Sequence, residues 1–561
     1  MEQGLNKKWL FLILPLIYVT MAIIFLQGIK RFYIGNFDPE YPYLLNATNI
    51  ASGHFRVGNI EHPGTPVDCF AAIVILMQHL FSQGTELYKD VLLHPESYLF
   101  TCSIVLTILL ALATLWAGIY VYRSSGNVTL ALLFQAAPLF YADTIKMAIC
   151  LNTESSITIL GILFSAYLYV NTIGNNKPEQ STTNKNVIAF GLLTALLITT
   201  KIYCFPLVLL VFFIIEKGRQ RIIYLISTAL FSVVLLFPLY NQLRNWAGWI
   251  KSLVIHSGAY GQGKTGFLDI SAYSTNIIDI LSYHILFTLV FIIALMAFIV
   301  ALIQRLRKKS NSSGNTSAII GVVLFLFSFM LIIAKQYKVL YPDPVMHRVI
   351  VILKFYYFIP LFIFFPFILA VSYKTISAAL PNKPFQSYGK PLFLIILLAV
   401  IGWGGLQSFT ICNSAKIMDV AFDKTNQFLD KHKNTPLIIV TDGQKACPEV
   451  ALFLGISYSG KWDLPVYNDF LEKTYPNSYL YTTYDNRLLY WSKRIDISEI
   501  LLKNKTALVY FTNGNNTDIT TAMLKRICND TLQIRKTHYQ KIYSSNNQTE
   551  NIYQVQADSS R

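Results

Sequence analysis

The sequence predicts an α-helical polytopic membrane protein of about eleven spans, carrying a small C-terminal α/β domain outside the bilayer. Three observations predict it. The 561 residues are 54% hydrophobic and only 14% charged, with a mean hydropathy of +0.45, more apolar surface than a water-soluble core of this length needs. Runs approaching or exceeding the ~18 residues that cross the hydrocarbon core recur up to about residue 410. Between them, basic clusters fall on one side of the chain's path, the positive-inside pattern.

The first run, 9–29, follows Asn6-Lys7-Lys8 and has no small-residue cleavage site behind it, so it reads as an uncleaved anchor. The later spans are read at about 99–122, 128–147, 154–172, 187–200, 203–216, 221–240, 278–303, 318–335, 349–373 and 391–410. With the N-terminus inside, Arg123, Lys177 and Lys185, Lys217 to Arg221, Arg305 to Lys309, and Lys374 to Lys390 all fall inside. The outside then holds loops 30–98, 148–153, 201–202, 241–277 and 336–348, and everything after Thr410. Val67 to Phe81, within loop 30–98, is short for a span and reads as a helix lying in the interface. The chain thus divides into a multi-span part, 1–410, and a C-terminal part, 411–561.

The net charge of +16 does not point to nucleic acid. The charge is spent in short loops, with no contiguous basic face interleaved with aromatics. The seven cysteines form no CxxC pair and no zinc spacing. A bridge among Cys412, Cys447 and Cys528 is left open. Aromatic clusters such as Phe355-Tyr356-Tyr357-Phe358 and Phe364-Phe365-Phe367 read as lipid contacts and interfacial anchors.

After residue 411 the apolar runs shorten. Leu437 to Val440, Tyr479 to Tyr484 and Ala507 to Phe511 are strand-like, with helix-like Pro448 to Leu454 and Asp518 to Ile527 between them. Ile534 to Val555 is expected to add a strand pair. There is no phosphate-cradling glycine fingerprint. Strand ends near Asp442 and Asp485 are where an α/β sheet would be searched first.

Chemistry-bearing residues gather on the predicted outer face. Asp38, Glu40, Glu61 and His62 follow the first span, and Glu154 opens the fourth, with Asp143 one segment earlier. Lys201 occupies a two-residue outer turn amid apolar residues. The motifs Asp38-Pro39-Glu40-Tyr41, Glu61-His62-Pro63-Gly64, Asn152-Thr153-Glu154 and Thr200-Lys201-Ile202-Tyr203, in that order, resemble the C-type (GT-C) integral membrane glycosyltransferases. The similarity is to the branch of the protein O-mannosyltransferases and the aminoarabinose lipid A transferase. The proline between Asp38 and Glu40, the histidine at 62 and the glycine at 64 depart from that family's pattern.

The resemblance implies transfer of a sugar from a polyprenyl-phosphate donor to an acceptor hydroxyl (of a protein, a lipid or a polysaccharide) by direct displacement with inversion. The expected setting is a bacterial inner membrane, with the site and the C-terminal part facing the periplasm. Asp38 is then the base, with Tyr41 in its motif. Glu40 and Glu154 position it or the acceptor. Lys201, Arg348 and Arg244 are candidates to meet the leaving phosphate. No cofactor fingerprint is present. A divalent metal ion on Glu61 and His256, with His62 beside them, is what some relatives imply.

Blander accounts stand beside each role. Asp38 caps a helix; Glu40 is a solvated first-turn acid; Glu154 answers a helix dipole. Lys201 snorkels, Arg244, Lys251 and Arg348 meet lipid head groups, and His256 is incidental to a glycine-rich loop. The competing classes are a transporter or flippase, and an O-antigen-ligase-like protein handling polyprenyl-linked glycans. A transporter would show repeated halves and midplane polar breaks, and no repeat is evident.

Overall fold

The computed structural model describes residues 9–27, 40–55, 57–58, 64–82, 86–174, 183–256, 270–306, 313–336, 338–342, 349–353, 355–379, 383–441, 447–459, 464–482, 487–511, 523–524, 527, 537–546 and 550–557. Local chemistry sets the helix bounds. Pro95–Ser125 opens on a proline, whose missing N–H is no loss in a first turn, and stops at Gly126 in the left-handed region, φ 63°. Its 31 residues rise about 46 Å at ~1.5 Å each, against a hydrocarbon core of about 30 Å, so part of it stands clear of the bilayer. Asn152 caps Thr153–Tyr169 by accepting from the Ser155 N–H at 3.0 Å, and Thr183 caps Asn184–Thr200 through Asn186 at 3.3 Å.

Against the eleven spans expected, five helices among the described residues are long and apolar enough to cross a membrane: Pro95–Ser125, Thr153–Gly174, Ile285–Leu306, Thr316–Lys335 and Pro391–Asn413. Two bent pairs raise this to seven if each is one span. Gly218–Leu235 meets Phe237–Ile255 at 76°, and Tyr356–Ile363 meets Phe365–Ala379 at 43°. A proline, Pro238 or Pro366, follows each break. Leu10–Leu26, Asn184–Thr200 and Ile202–Ile214 are shorter apolar helices. The helices share an apolar core, stitched by one buried amide. The Gln135 side-chain amide donates to the carbonyls of Phe11 (2.9 Å) and Thr114 (3.0 Å), and its backbone carbonyl accepts from Tyr18 at 2.7 Å.

Three sequence expectations need correction. The run 128–147 is not one helix but Val128–Gln135, Ala137–Phe140 and Thr144–Ala148, broken around Pro138. The run from 349 opens as a strand. β1 (Lys338–Pro342) and β2 (Val349–Leu353) pair antiparallel, and helix follows only from Phe355. Tyr356, Tyr357, Phe358, Phe364, Phe365 and Phe367 are at most 3% exposed, so they are core rather than lipid contacts. The interfacial stretch forms the helix Thr65–His79.

The C-terminal sheet contains β3 (Leu437–Thr441), β4 (Ser478–Thr482), β5 (Arg487–Tyr490), β6 (Lys493–Arg494), β7 (Thr506–Phe511), β8 (Thr537–Ser544) and β9 (Asn551–Ala557), in the order β6-β5-β4-β3-β7-β9-β8. β3 runs parallel to β4 and β7, with Leu437 opposite Ser478 and Leu508, and the other pairs are antiparallel. Side chains alternate between two cores. Ile438, Val440 and Val509 pack with Ile497, Ile500 and Leu501. Ile439, Leu480, Leu508 and Tyr510 face a core shared with Tyr41, Leu44 and Leu45 of the helix Glu40–Ala51. The composition change at 411 falls inside a helix, Gly405–Asp430, that runs through it.

This second core positions the outer loop. The helix Pro448–Ser459 lies directly on Glu40–Ala51 because Gly455 has no side chain. A Cβ there would come within 2.9 Å of Leu45 Cδ1 and 3.1 Å of Tyr41 Cβ. From the helix Leu464–Thr474, Tyr467 donates to Asn49 Oδ1 at 2.5 Å.

Candidate active site

Where Thr153–Tyr169 begins and Asn184–Thr200 ends, charged side chains are buried together. Glu154, in the first turn of the former, and Lys201, just past the latter, are both 0% exposed. The Lys201 ammonium donates to Glu154 Oε1. The same oxygen accepts from the Tyr203 hydroxyl at 3.2 Å, and Oε2 accepts from Thr153 Oγ1 at 3.0 Å. Three aromatic faces surround the cation. Its Nζ lies 4.8 Å from the ring centroid of Tyr356, 5.3 Å from Tyr203 and 5.6 Å from Tyr357. Neither blander account fits this placement. Glu154 is not merely answering a dipole, and the Lys201 head group does not reach out to lipid.

Glu40 is wholly buried at the start of its helix, so it is not a solvated first-turn acid. Its Oε1 accepts from the Leu151 backbone N–H at 2.6 Å. That bond ties the outer-loop helix to the turn from which Glu154 projects. The helix Thr65–His79 closes on the same place, since its N-cap residue Gly64 donates its N–H to the Thr200 carbonyl at 3.3 Å. Three sequence-distant segments therefore meet within a few residues of Lys201.

Tyr41 is buried and donates to Glu96 Oε1, in the first turn of Pro95–Ser125, at 2.5 Å. Asp143 stands at the head of Thr144–Ala148, which carries Lys146. Arg244 is exposed on Leu243–Ile255, and His256 ends that helix, half-buried. Asp38, Glu61, His62 and Arg348 lie outside the described residues. The expected Glu61–His256 metal pair therefore has only its histidine placed, and no group of three or more His, Cys, Asp or Glu among the described residues could hold a metal ion.

Sequence reasoning missed two kinds of residue. The three tyrosines round Lys201 do not stand out among the chain's 34, although Tyr203 stands two residues from the lysine. Asp68, in the first turn of Thr65–His79, was passed over as part of an interfacial helix. It is 0% exposed, and neither carboxylate oxygen has a hydrogen-bond partner among the described residues. Burial pushes its carboxyl well above the usual carboxylate range.

No family model matches the chain, and no curated protein does. Among solved structures, the chain is similar to the crystal structure of ArnT from Cupriavidus metallidurans bound to undecaprenyl phosphate, at 11% identity over 99% of each chain and a TM-score of 0.48. A similarity that loose aligns no residue with a functional counterpart.

Proposed function

We propose that the protein is a membrane glycosyltransferase that moves a sugar from a polyprenyl-phosphate donor to an acceptor hydroxyl on the extracytoplasmic face. One observation supports it most: a lysine and a glutamate, both wholly buried and ringed by tyrosines, meet between two apolar helices. Taking two charges out of water costs several kcal/mol per ion, about 20 kcal/mol in the idealised limit, and such groups in apolar segments default to function.

The step needs three things. The acceptor oxygen must attack the anomeric carbon while its proton passes to a carboxylate. The bond from that carbon to the phosphate oxygen must break, the electron pair leaving with the phosphate. The developing negative charge must find a cation. Asp38, two residues before the anchored Glu40, is the base. Glu40 is engaged with the Leu151 N–H and acts by position. Lys201, held by Glu154 at rest, meets the departing phosphate, while the tyrosine rings keep water away. A single displacement inverts the anomeric centre. In this reading the site faces the periplasm of a bacterial inner membrane.

The test is sugar release from synthetic polyprenyl-phosphate sugars by purified protein, wild type beside Asp38→Asn. One donor should turn over, and the variant should lose turnover while keeping donor binding. Turnover unchanged in the variant would move the base to Glu40 or Glu154. Failure of every donor, with saturable binding of a diphosphate-linked glycan, would replace the transferase with a ligase or transporter.

A further inference from the structure

A second space opens away from the ion pair, between the outer end of Pro95–Ser125, the helix Gly405–Asp430 and one face of the C-terminal sheet. It is a cavity of about 840 Å³, inside the ~300–1,000 Å³ that small-ligand sites take. Its lining is mixed. Phe100 and Tyr475 supply aromatic faces, and Glu96 and Glu449 supply carboxylates. Asp430 adds a third carboxylate, against the single lysine Lys433 among the described lining residues.

Three features define the occupant. Aromatic faces carry partial negative charge and attract the polarised C–H bonds of a sugar ring. Carboxylates are strong acceptors for hydroxyl donors. The surplus of acid over base disfavours a phosphate, so this is not a second seat for the donor. The cavity is also coupled to the candidate active site. Glu96 accepts from Tyr41 at 2.5 Å, and Tyr41 follows Glu40 in the chain. Glu449 is steadied from the sheet by the Ser478 hydroxyl at 3.4 Å.

We propose that this cavity binds the acceptor, and that the acceptor is a neutral, polyhydroxylated glycan gripped by the Tyr475 ring and the carboxylates of Glu96 and Glu449. The proposal rests on the transferase reading for the word acceptor, but its test is binding and not turnover. The full chain in lipid nanodiscs would be titrated with soluble neutral tetrasaccharides of glucose, mannose, galactose and N-acetylglucosamine, followed by saturation-transfer NMR. At least one class should bind. Glu449→Gln and Tyr475→Ala should each weaken it about tenfold, the size of one charged hydrogen bond or one aromatic contact. Tyr475→Phe should restore it, separating stacking from misfolding. No binding of any class, or binding indifferent to both cavity variants, overturns the proposal even if donor turnover is found. Glycan binding without any donor turnover would sink the transferase and leave a glycan-binding protein.

Discussion

Of the three carboxylates outside the C-terminal part that are wholly buried in the first turn of a helix among the described residues, Glu154 in Thr153–Tyr169 and Asp68 in Thr65–His79 differ most. They are treated in opposite ways. Glu154 receives a lysine, a tyrosine and a threonine. Asp68 receives no hydrogen bond from any described residue. Local sequence does not distinguish them, since both stand in the first turn of a helix and both answer its dipole. The difference comes from a partner 47 residues away. A buried acid becomes a site when the fold brings a cation to it. Otherwise it stays a costly group whose ionisation burial opposes.

The largest effect that would break this contrast is expected at Lys201. Lys201→Ala leaves the Glu154 carboxylate buried without its cation, a loss of about 3–5 kcal/mol where one partner of a buried pair is removed. Thermal unfolding in detergent should show it, together with loss of donor turnover. The double variant Lys201→Met/Glu154→Leu should recover most of the stability, because an apolar pair of similar volume is often neutral or better, and it should stay inactive. A double variant as unstable as the single one would mean that packing, not charge, is what the pair supplies.

Asp68 should respond with the opposite sign. Its carboxyl is raised by burial, so the unfolded state ionises first. Stability is then full below the unfolded value of about 3.9 and falls as the pH rises from there toward the raised folded value. Asp68→Asn removes that slope and should stabilise the protein near neutrality by about 1–3 kcal/mol, the order of the desolvation cost of a polar group. Unfolding temperatures of both proteins between pH 4.5 and pH 8 decide it. Parallel curves would show that the buried Asp68 carboxyl does not set the slope.

How much of this was legible can be argued from the same residues. Glu154 and Lys201 were visible because ionisable groups stand out in apolar runs, and the structure brings those two together. Their tyrosine ring was not, since the contact of Lys201 with Tyr356 spans more than a hundred residues and aromatic clusters are common in this composition. Strands β3, β4 and β7 were legible from β-branched and aromatic runs. β5 and β6 are too short to show a period. β2, Val349–Leu353, falls inside the span expected at 349–373 because a continuous apolar run looks the same as strand or as helix. The kinked segments were hidden in the same way, with Pro138 and Pro366 buried in runs that hydropathy alone reads as continuous.

The smallest expected effect sharpens the contrast most finely. Tyr203 touches the pair in two ways, through a hydroxyl 3.2 Å from Glu154 Oε1 and through a ring face 5.3 Å from the Lys201 ammonium. Tyr203→Phe removes the first and keeps the second. A neutral donor to a carboxylate at that length sits at the weak end of the range, so stability should fall by about 0.5–1.5 kcal/mol. The cation keeps its aromatic wall, and donor turnover should fall only a few-fold. Tyr203→Leu removes both and should cost more in each measurement. If Tyr203→Phe alone matched Lys201→Ala in lost turnover, the hydroxyl would have to hand a proton or a hydrogen bond to the reacting atoms, and Tyr203 would move from the wall of the site into its chemistry.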